Sequence, residues 1–545
     1  MPDLSTLSTV LPKLPTVFSS VIDYYRYGPP QPSWDLKFYL TYRFLKKSFD
    51  LMCEYTIEYG QQGSFASFGT IDDDILINEL TLSNSLRKKS QIYIDEILKD
   101  YNHVLLDDWK SFGIGNGLEC EWVYAKEKNE KNESNDKKKK YDKVILYLHG
   151  GAYALCSAKS HRMFTSKIAK LANARVFAIN YRLAPQNQFP AALHDSITAY
   201  NYLINPPKDA NFLPIEPKNI VIMGDSAGGG LVMATLLAIR DSKLPSPAGA
   251  VMWSPWVDLS HSMPSAMDPK FNESDYLTEK NFQGITSPAW EEFEQKAKNL
   301  TEKIQFNVDN KPKFWHKSFD HDDRLHLYVS NEGAAIPYVS PLLAESLGGL
   351  PPILVQAGDG EKLRDECIYL AHKAANPGKY NLPYYHAEKF EKSPYKAPTK
   401  VVLEIYEEMP HVFQFSILAN VSLKRSVEFI EQLLSGEEQE KELKTLRVTS
   451  KGKIIEGLTE EHHKVLEWEN VGIALRKKTK LFCKPVNNDK FNGNDISPKQ
   501  NSISVRPSGW NHGNPSGNIF INTNPTIPNC TNPLPIDSQD VFQIL

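Results

Sequence analysis

Between positions 143 and 435 the chain alternates short, almost wholly apolar runs with longer stretches in which apolar residues recur at helical spacing. The runs Lys143 to Leu148, Arg175 to Tyr181, Asn219 to Met223, Ala250 to Ser254, Pro352 to Gln356 and Val401 to Tyr406 read as strands, and helical patterns follow Pro190, Ser226, Glu361 and Val412. A strand that is apolar on both faces needs cover on both sides. Strands of that kind alternating with helices predict an α/β fold, a mostly parallel sheet flanked by helices. Just upstream, Glu119 to Ala125 reads as a further strand, and the charged run Lys126 to Lys140 reads as a solvated loop.

The pattern changes on either side. Residues 1–110 place apolar and basic positions at helical spacing, broken at Gly28-Pro29-Pro30, and read as an N-terminal helical cap or extension. The stretch Trp34 to Met52 is rich in aromatic residues and leaves open whether its helix covers a face of the domain or lies on lipid. Residues 111–435 form the main domain, interrupted at Asp258 to Ala335 by aromatic, acidic and amide-rich sequence. A loop that long in a compact domain is an insertion with a task, here a cap above the C-terminal ends of the strands, where open α/β sheets bind ligands. Residues 436–484 read as a C-terminal extension of short helices. Asparagine, proline, serine and glycine dominate 485–545, too little apolar surface to offset chain entropy, so that tail is expected to be disordered and to have no catalytic role.

A chain of 545 residues exceeds what one core fills, which fits one large domain with additions. The 62 basic and 66 acidic residues nearly balance, so no basic field argues for nucleic acid. Cys53, Cys120, Cys156, Cys367, Cys483 and Cys530 are scattered without paired spacing, which argues for free thiols and against a metal site or a disulfide framework. Residues 1–17 lack the basic and apolar regions of a signal peptide, and no apolar run reaches the ~18 residues of a spanning helix. An intracellular protein is expected, cytoplasmic or held peripherally on a membrane, with no cofactor.

The chemistry concentrates at Gly224-Asp-Ser-Ala-Gly228, between an apolar strand and a helix-forming run. In such an elbow a tight turn lifts the serine, here Ser226, clear of the sheet edge. A serine hydroxyl needs a base, and an acid to orient that base. His411 lies after the last apolar strand and before the last core helix, within reach of the sheet top. The acid comes from Asp359, Glu361 or Asp365, all on one loop after a strand. Backbone N–H groups of Gly150, Gly151 and Ala227 are the expected oxyanion donors: the glycine pair follows the strand Lys143 to Leu148, and Ala227 begins a helix.

His149 to Tyr153, Tyr181 to Pro185, Phe189 to Ala192 with Asp195, Gly224 to Gly228, Ser254 to Trp256 with Asp258, and Leu363 to Asp365 together resemble the hormone-sensitive-lipase-like branch of the α/β-hydrolases, over about residues 115–435. The resemblance implies an α/β-hydrolase fold with an N-terminal cap, and a serine hydrolase that cleaves carboxylic esters through an acyl-enzyme. It also implies a triad whose acid position falls on Glu361, with Asp365 as the alternative. Two departures stand out: Ala152 replaces a third loop glycine, and Glu361 stands where the family carries aspartate. Aromatic residues of the cap and N-terminus, Trp34, Tyr39, Trp290, Phe293, Phe314 and Trp315, suggest apolar acyl, lipid or sterol esters, or else only pack the cap. The N-terminal helices are candidates for peripheral contact with a membrane or lipid droplet. An amidase or N-deacetylase, or a catalytically silent binding protein on the same scaffold, are the alternative readings.

Overall fold

The computed structural model describes residues 14–65, 70–112, 117–126, 141–277, 285–306, 326–380, 393–415, 417–437 and 441–472. The expectations for Lys126 to Lys140 and the 485–545 tail, and those for Phe314, Trp315, Cys483 and Cys530, lie wholly or almost wholly outside these residues.

Among the described residues, ten strands form one sheet: β1 (Ile75–Leu82), β2 (Leu118–Ala125), β3 (Val144–Leu148), β4 (Arg175–Ile179), β5 (Ile220–Asp225), β6 (Gly249–Trp253), β7 (Ile353–Gly358), β8 (Val401–Tyr406), β9 (Leu443–Val448) and β10 (Ile454–Glu456). Their spatial order is β1-β2-β4-β3-β5-β6-β7-β8-β9-β10. From β4 to β9 every neighbouring pair is parallel, while β1, β2 and β10 join antiparallel. The helices of eight or more residues among the described residues are α1 (Leu14–Tyr27), α2 (Leu36–Met52), α3 (Ile57–Ser64), α4 (Asn84–Leu98), α5 (Arg162–Leu171), α6 (Ala191–Ile204), α7 (Ala227–Asp241), α8 (Pro288–Phe306), α9 (Arg364–Ala375) and α10 (Ala419–Ser435).

The two-residue period of a strand sorts its side chains into two layers. Val144, Leu146 and Leu148 of β3 face the core that holds Ile94, Leu193, Leu231 and Ile368 of α4, α6, α7 and α9. Ile145 and Tyr147 face Phe164 and Ile168 of α5 and Leu423 and Val427 of α10. Asp195 anchors the first layer: Arg87 of α4 donates to it through Nε at 2.6 Å, and Arg182 through Nε at 3.0 Å. Burial works against the Asp195 anion, but the two guanidinium groups outweigh it and hold its pKa at about 2.

Three expectations need correction. Residues 1–110 are not all helical, because Ile75 to Leu82 is an edge strand registered on β2 from Ile75↔Ala125 to Leu82↔Leu118. Its burial is partial and irregular, so its sequence carries no clean alternation. Residues 436–484 contribute β9 and β10 to the opposite edge besides the short helix Glu460–Lys464. Helix α5 also went unanticipated, its polar residues masking the buried Phe164, Thr165 and Ile168.

Of the two readings of Trp34 to Met52, the structure gives the covering one. Asp35 caps α2 by accepting from Phe38 N–H at 2.7 Å, and Trp34 is 1% exposed. Trp34, Phe38, Tyr39 and Tyr42 pack with Tyr276, Tyr406, Met409 and Phe413. The Trp34 indole N–H donates to Glu408 O at 2.8 Å, so α2 sits on the loop that leads to His411. Phe18, Ile22 and Tyr25 of α1 are exposed. No helix among the described residues is long and apolar enough to cross a membrane.

Candidate active site

The register brings the candidate residues to one end of the sheet. Leu148 of β3 lies beside Gly224 of β5, and Gly358 of β7 beside Tyr406 of β8. Each strand then ends, and the loops carrying Gly150, Ser226, Glu361 and His411 leave from that end. Ser226 sits between β5 and α7 with φ 53° and ψ −123°, a strained conformation for a residue with a Cβ. Three backbone hydrogen bonds fix it, from Ser226 N–H to Trp253 O at 2.8 Å, from Trp256 N–H to Ser226 O at 2.9 Å and from Gly230 N–H to Ser226 O at 3.0 Å. A Cβ at Gly224 or Gly228 would run into Leu148 O, and one at Gly228 also into His149 O, so the turn packs tightly against the β3 exit.

His411 Nε2 lies 2.8 Å from Ser226 Oγ. On the far side of the ring, Nδ1 is 3.7 Å from Glu361 Oε2, beyond hydrogen-bond distance. Oε2 instead accepts from Ser254 Oγ at 2.6 Å, while Nδ1 and Glu361 Oε1 are both buried without a hydrogen-bond partner. The ring nitrogen and one carboxylate oxygen are thus both left unsatisfied in a buried place where the two side chains come within 3.7 Å. Loose contacts of this sort tighten when a substrate binds. The base and acid loops are also tied directly, by Gly360 N–H to Met409 O at 2.9 Å and Asp359 N–H to Tyr406 O at 2.8 Å.

The other two acids are engaged elsewhere. Asp365 accepts from Ser265 N–H at 2.9 Å and from Arg364 Nε at 2.9 Å. Asp359 lies 2.9 Å from His462 Nε2 and accepts from Arg364 Nη1 at 3.2 Å. Burial disfavours the His411 imidazolium, but the carboxylates of Glu361, Asp275 and Asp225 outweigh it and hold the pKa above its ordinary value. Burial, aided by Asp275, raises the Glu361 carboxyl against the opposing pull of His411 and Ser254.

One of the expected donors has a partner within the protein: the Gly150 N–H donates to Asp225 Oδ1 at 3.2 Å. Among the described residues, no hydrogen bond occupies the N–H groups of Gly151, Ala152 or Ala227. Gly151 has φ 106° and Ala152 φ 53°, a turn that fits glycine first and strains the alanine. The loop is braced by His149 stacked on Tyr181 at 4.2 Å and by Tyr181 OH donating to His149 O at 2.8 Å.

Two polar residues at the site carried no sequence expectation. Ser254 bridges the site, its Oγ donating to Glu361 and accepting from Val412 N–H at 3.0 Å. Its place in the Ser254-Pro-Trp256 motif was the available signal. Asp275 lies in the insertion, and nothing in its sequence neighbourhood marked it. Trp290 and Phe293 of α8 are buried in the main core and pack the insertion onto the domain. His326 is buried, with Nε2 at 2.5 Å from Leu259 O, far from any role as base. No group of three or more His, Cys, Asp or Glu residues among the described residues could hold a metal. Cys53, Cys120, Cys156 and Cys367 take part in no disulfide among the described residues.

The alpha/beta hydrolase fold family matches residues 145–290 and 279–415. An acetyl-hydrolase of Streptomyces hygroscopicus is 30% identical over 278 residues, which cover 50% of this chain and 69% of that protein. An esterase of Acinetobacter venetianus is 28% identical over 233 residues, 42% of this chain and 61% of that one. Among solved structures, an esterase from the bacterial hormone-sensitive lipase family is 25% identical, with a TM-score of 0.43, over 72% of this chain and 98% of its own. The chain belongs to the α/β-hydrolase fold family, as a carboxylic-ester hydrolase.

Proposed function

We propose that Ser226, His411 and Glu361 form the triad of a serine hydrolase that cleaves carboxylic esters of apolar alcohols, lipid or sterol esters among them, through an acyl-enzyme. The observation that carries this reading is the 2.8 Å contact between Ser226 Oγ and His411 Nε2 on a strained strand-to-helix elbow. Ser226 Oγ attacks the ester carbonyl while Nε2 takes its proton, and the imidazolium is held by Glu361. The tetrahedral oxygen receives hydrogen bonds from the N–H groups of Gly151, Ala152 and Ala227. Collapse expels the alcohol, which leaves with the proton from His411. Water then attacks the acyl-enzyme by the same route and frees the acid and Ser226. Each oxyanion donor contributes ~3 kcal/mol to the barrier reduction.

An aromatic ring beside the base supports an apolar substrate: Tyr276 stands 5.9 Å from the His411 ring. Relatives named acetyl-hydrolase and ethyl acetate hydrolase favour an acyl group as short as acetyl. The test is a hydrolysis panel running from short acyl aryl esters through sterol acetates to triacylglycerols, with a matched amide. Turnover of acetyl esters of apolar alcohols is expected, faster than that of the amide. Faster amide cleavage would give the site to an amidase or N-deacetylase, and failure of a fluorophosphonate to label Ser226 would give it to a silent binding protein.

The pH profile gives a second check. His411 accepts a proton only when neutral, and its pKa lies above the ordinary value. Activity therefore falls as pH drops through that pKa, and the acid limb of kcat/KM is expected above the ordinary imidazole value of ~6.5. A limb well below that value would contradict the assignment of His411 as base.

A further inference from the structure

Asp275 follows the helical turn Phe271–Ser274 in the insertion and is fully buried. Its Oδ2 accepts from the N–H of Lys362, the residue after Glu361, at 2.7 Å. Its Oδ1 accepts from the N–H of His411 at 3.4 Å and from Leu277 N–H at 3.3 Å. One carboxylate therefore spans the backbones of the acid and of the base. Its neighbour Ser274 grips the other flank of Glu361, donating to Gly360 O at 2.8 Å. Helix α2 pins this segment from outside: Tyr42 OH donates to Glu273 O at 2.6 Å and Lys46 Nζ to Asp275 O at 2.9 Å.

We propose that Asp275 is a positioning residue for the ester-hydrolysing reaction, setting the spacing of His411 and Glu361 and steadying the imidazolium that forms between them. The inference rests on the triad reading above and deepens it. A buried carboxylate is costly to keep. Among the described residues, backbone N–H groups supply all the hydrogen bonds to this one. A neutral amide oxygen would satisfy much of that geometry, so the charge itself has a use, and the group it serves is the ring that becomes cationic in each half-reaction. The groups facing His411 are Glu361, Asp275, Asp225, Ser226 and Tyr276, and those facing Asp275 from α2 are Lys46 and Tyr42.

The test compares Asp275→Asn with the full-length unaltered protein on a soluble aryl ester, following kcat, KM, the pH profile and thermal unfolding. The expected result is a kcat lowered ~10–100-fold, the loss typical of a misplaced catalytic group, with KM little changed. The acid limb moves to lower pH, because a negative neighbour that favours the imidazolium is gone. An unchanged kcat, or a loss of kcat with the limb unmoved, overturns the proposal. Should Asp275→Asn not fold, Tyr42→Phe loosens the same segment from α2 and is expected to lower kcat to a smaller degree; a kcat equal to that of the unaltered protein overturns the proposal there. Failure of the triad reading is distinguishable, since it shows as activity retained in Ser226→Ala, whatever Asp275→Asn does.

Discussion

Replacing Ser226 by alanine is expected to lower kcat on a soluble aryl ester by ~10⁶-fold and to abolish fluorophosphonate labelling, while the protein stays folded. The size follows from the geometry. The hydroxyl is the group placed 2.8 Å from the His411 imidazole, so its removal deletes the covalent route rather than weakening one contact. Residual turnover of ~10³–10⁴ over the reaction in water is expected to remain, because the free N–H groups of Gly151, Ala152 and Ala227 and the binding surface are untouched. His411→Ala is expected to cost about as much, and the double variant no more than either alone, as for groups that act as one unit. Turnover near that of the unaltered protein in Ser226→Ala, measured on purified folded protein, would remove the triad reading altogether.

The centre of the molecule was legible because its physics is local. Strands β3, β5, β6, β7 and β8 are buried on both faces, so their sequences are almost wholly apolar runs, with Asp225, Gln356 and Glu404 the exceptions. The elbow was legible for the same reason, since Gly224 and Gly228 answer a backbone contact with the neighbouring strand. The sheet edges were not. Strands β1, β9 and β10 keep one side or more in solvent and draw their identity from pairing with a strand that the sequence does not name. The partner of the Gly150 N–H was equally out of view, because it is a side chain 75 positions away, Asp225. Asp275 lay further from view. It acts through backbone N–H groups, which every residue has, so no motif marks the pairing, and only the folded insertion brings it to Lys362 and His411.

The choice between Glu361 and Asp365 has the other large expected effect, and here the two substitutions should separate cleanly. Glu361 is buried with Oε2 3.7 Å from His411 Nδ1 and Oε1 unpaired, and its bond to Ser254 fixes the arm without neutralising it. Glu361→Gln keeps the shape and loses the charge that favours the imidazolium. It is expected to lower kcat by ~10⁴-fold, the cost of an orienting acid made neutral, with little change in KM. The glutamate's longer arm is no obstacle, since the loop after β7 is drawn back onto the His411 loop by the Gly360 to Met409 bond. Asp365 does different work. It receives Ser265 N–H and the Arg364 guanidinium, and its own N–H donates to Ser265 Oγ at 3.1 Å, so it knits the insertion to the start of α9. Asp365→Ala leaves a buried N–H and part of a buried guanidinium unsatisfied, at a cost of about 1–3 kcal/mol in stability. Its kcat per folded molecule should remain close to that of the unaltered protein. Both readouts are needed, since a raw activity assay would merge a protein that cannot orient its base with one that is partly unfolded. A larger loss of kcat in folded Asp365→Ala than in Glu361→Gln would transfer the acid's role to Asp365, and with it require a rearrangement of the loop that carries both.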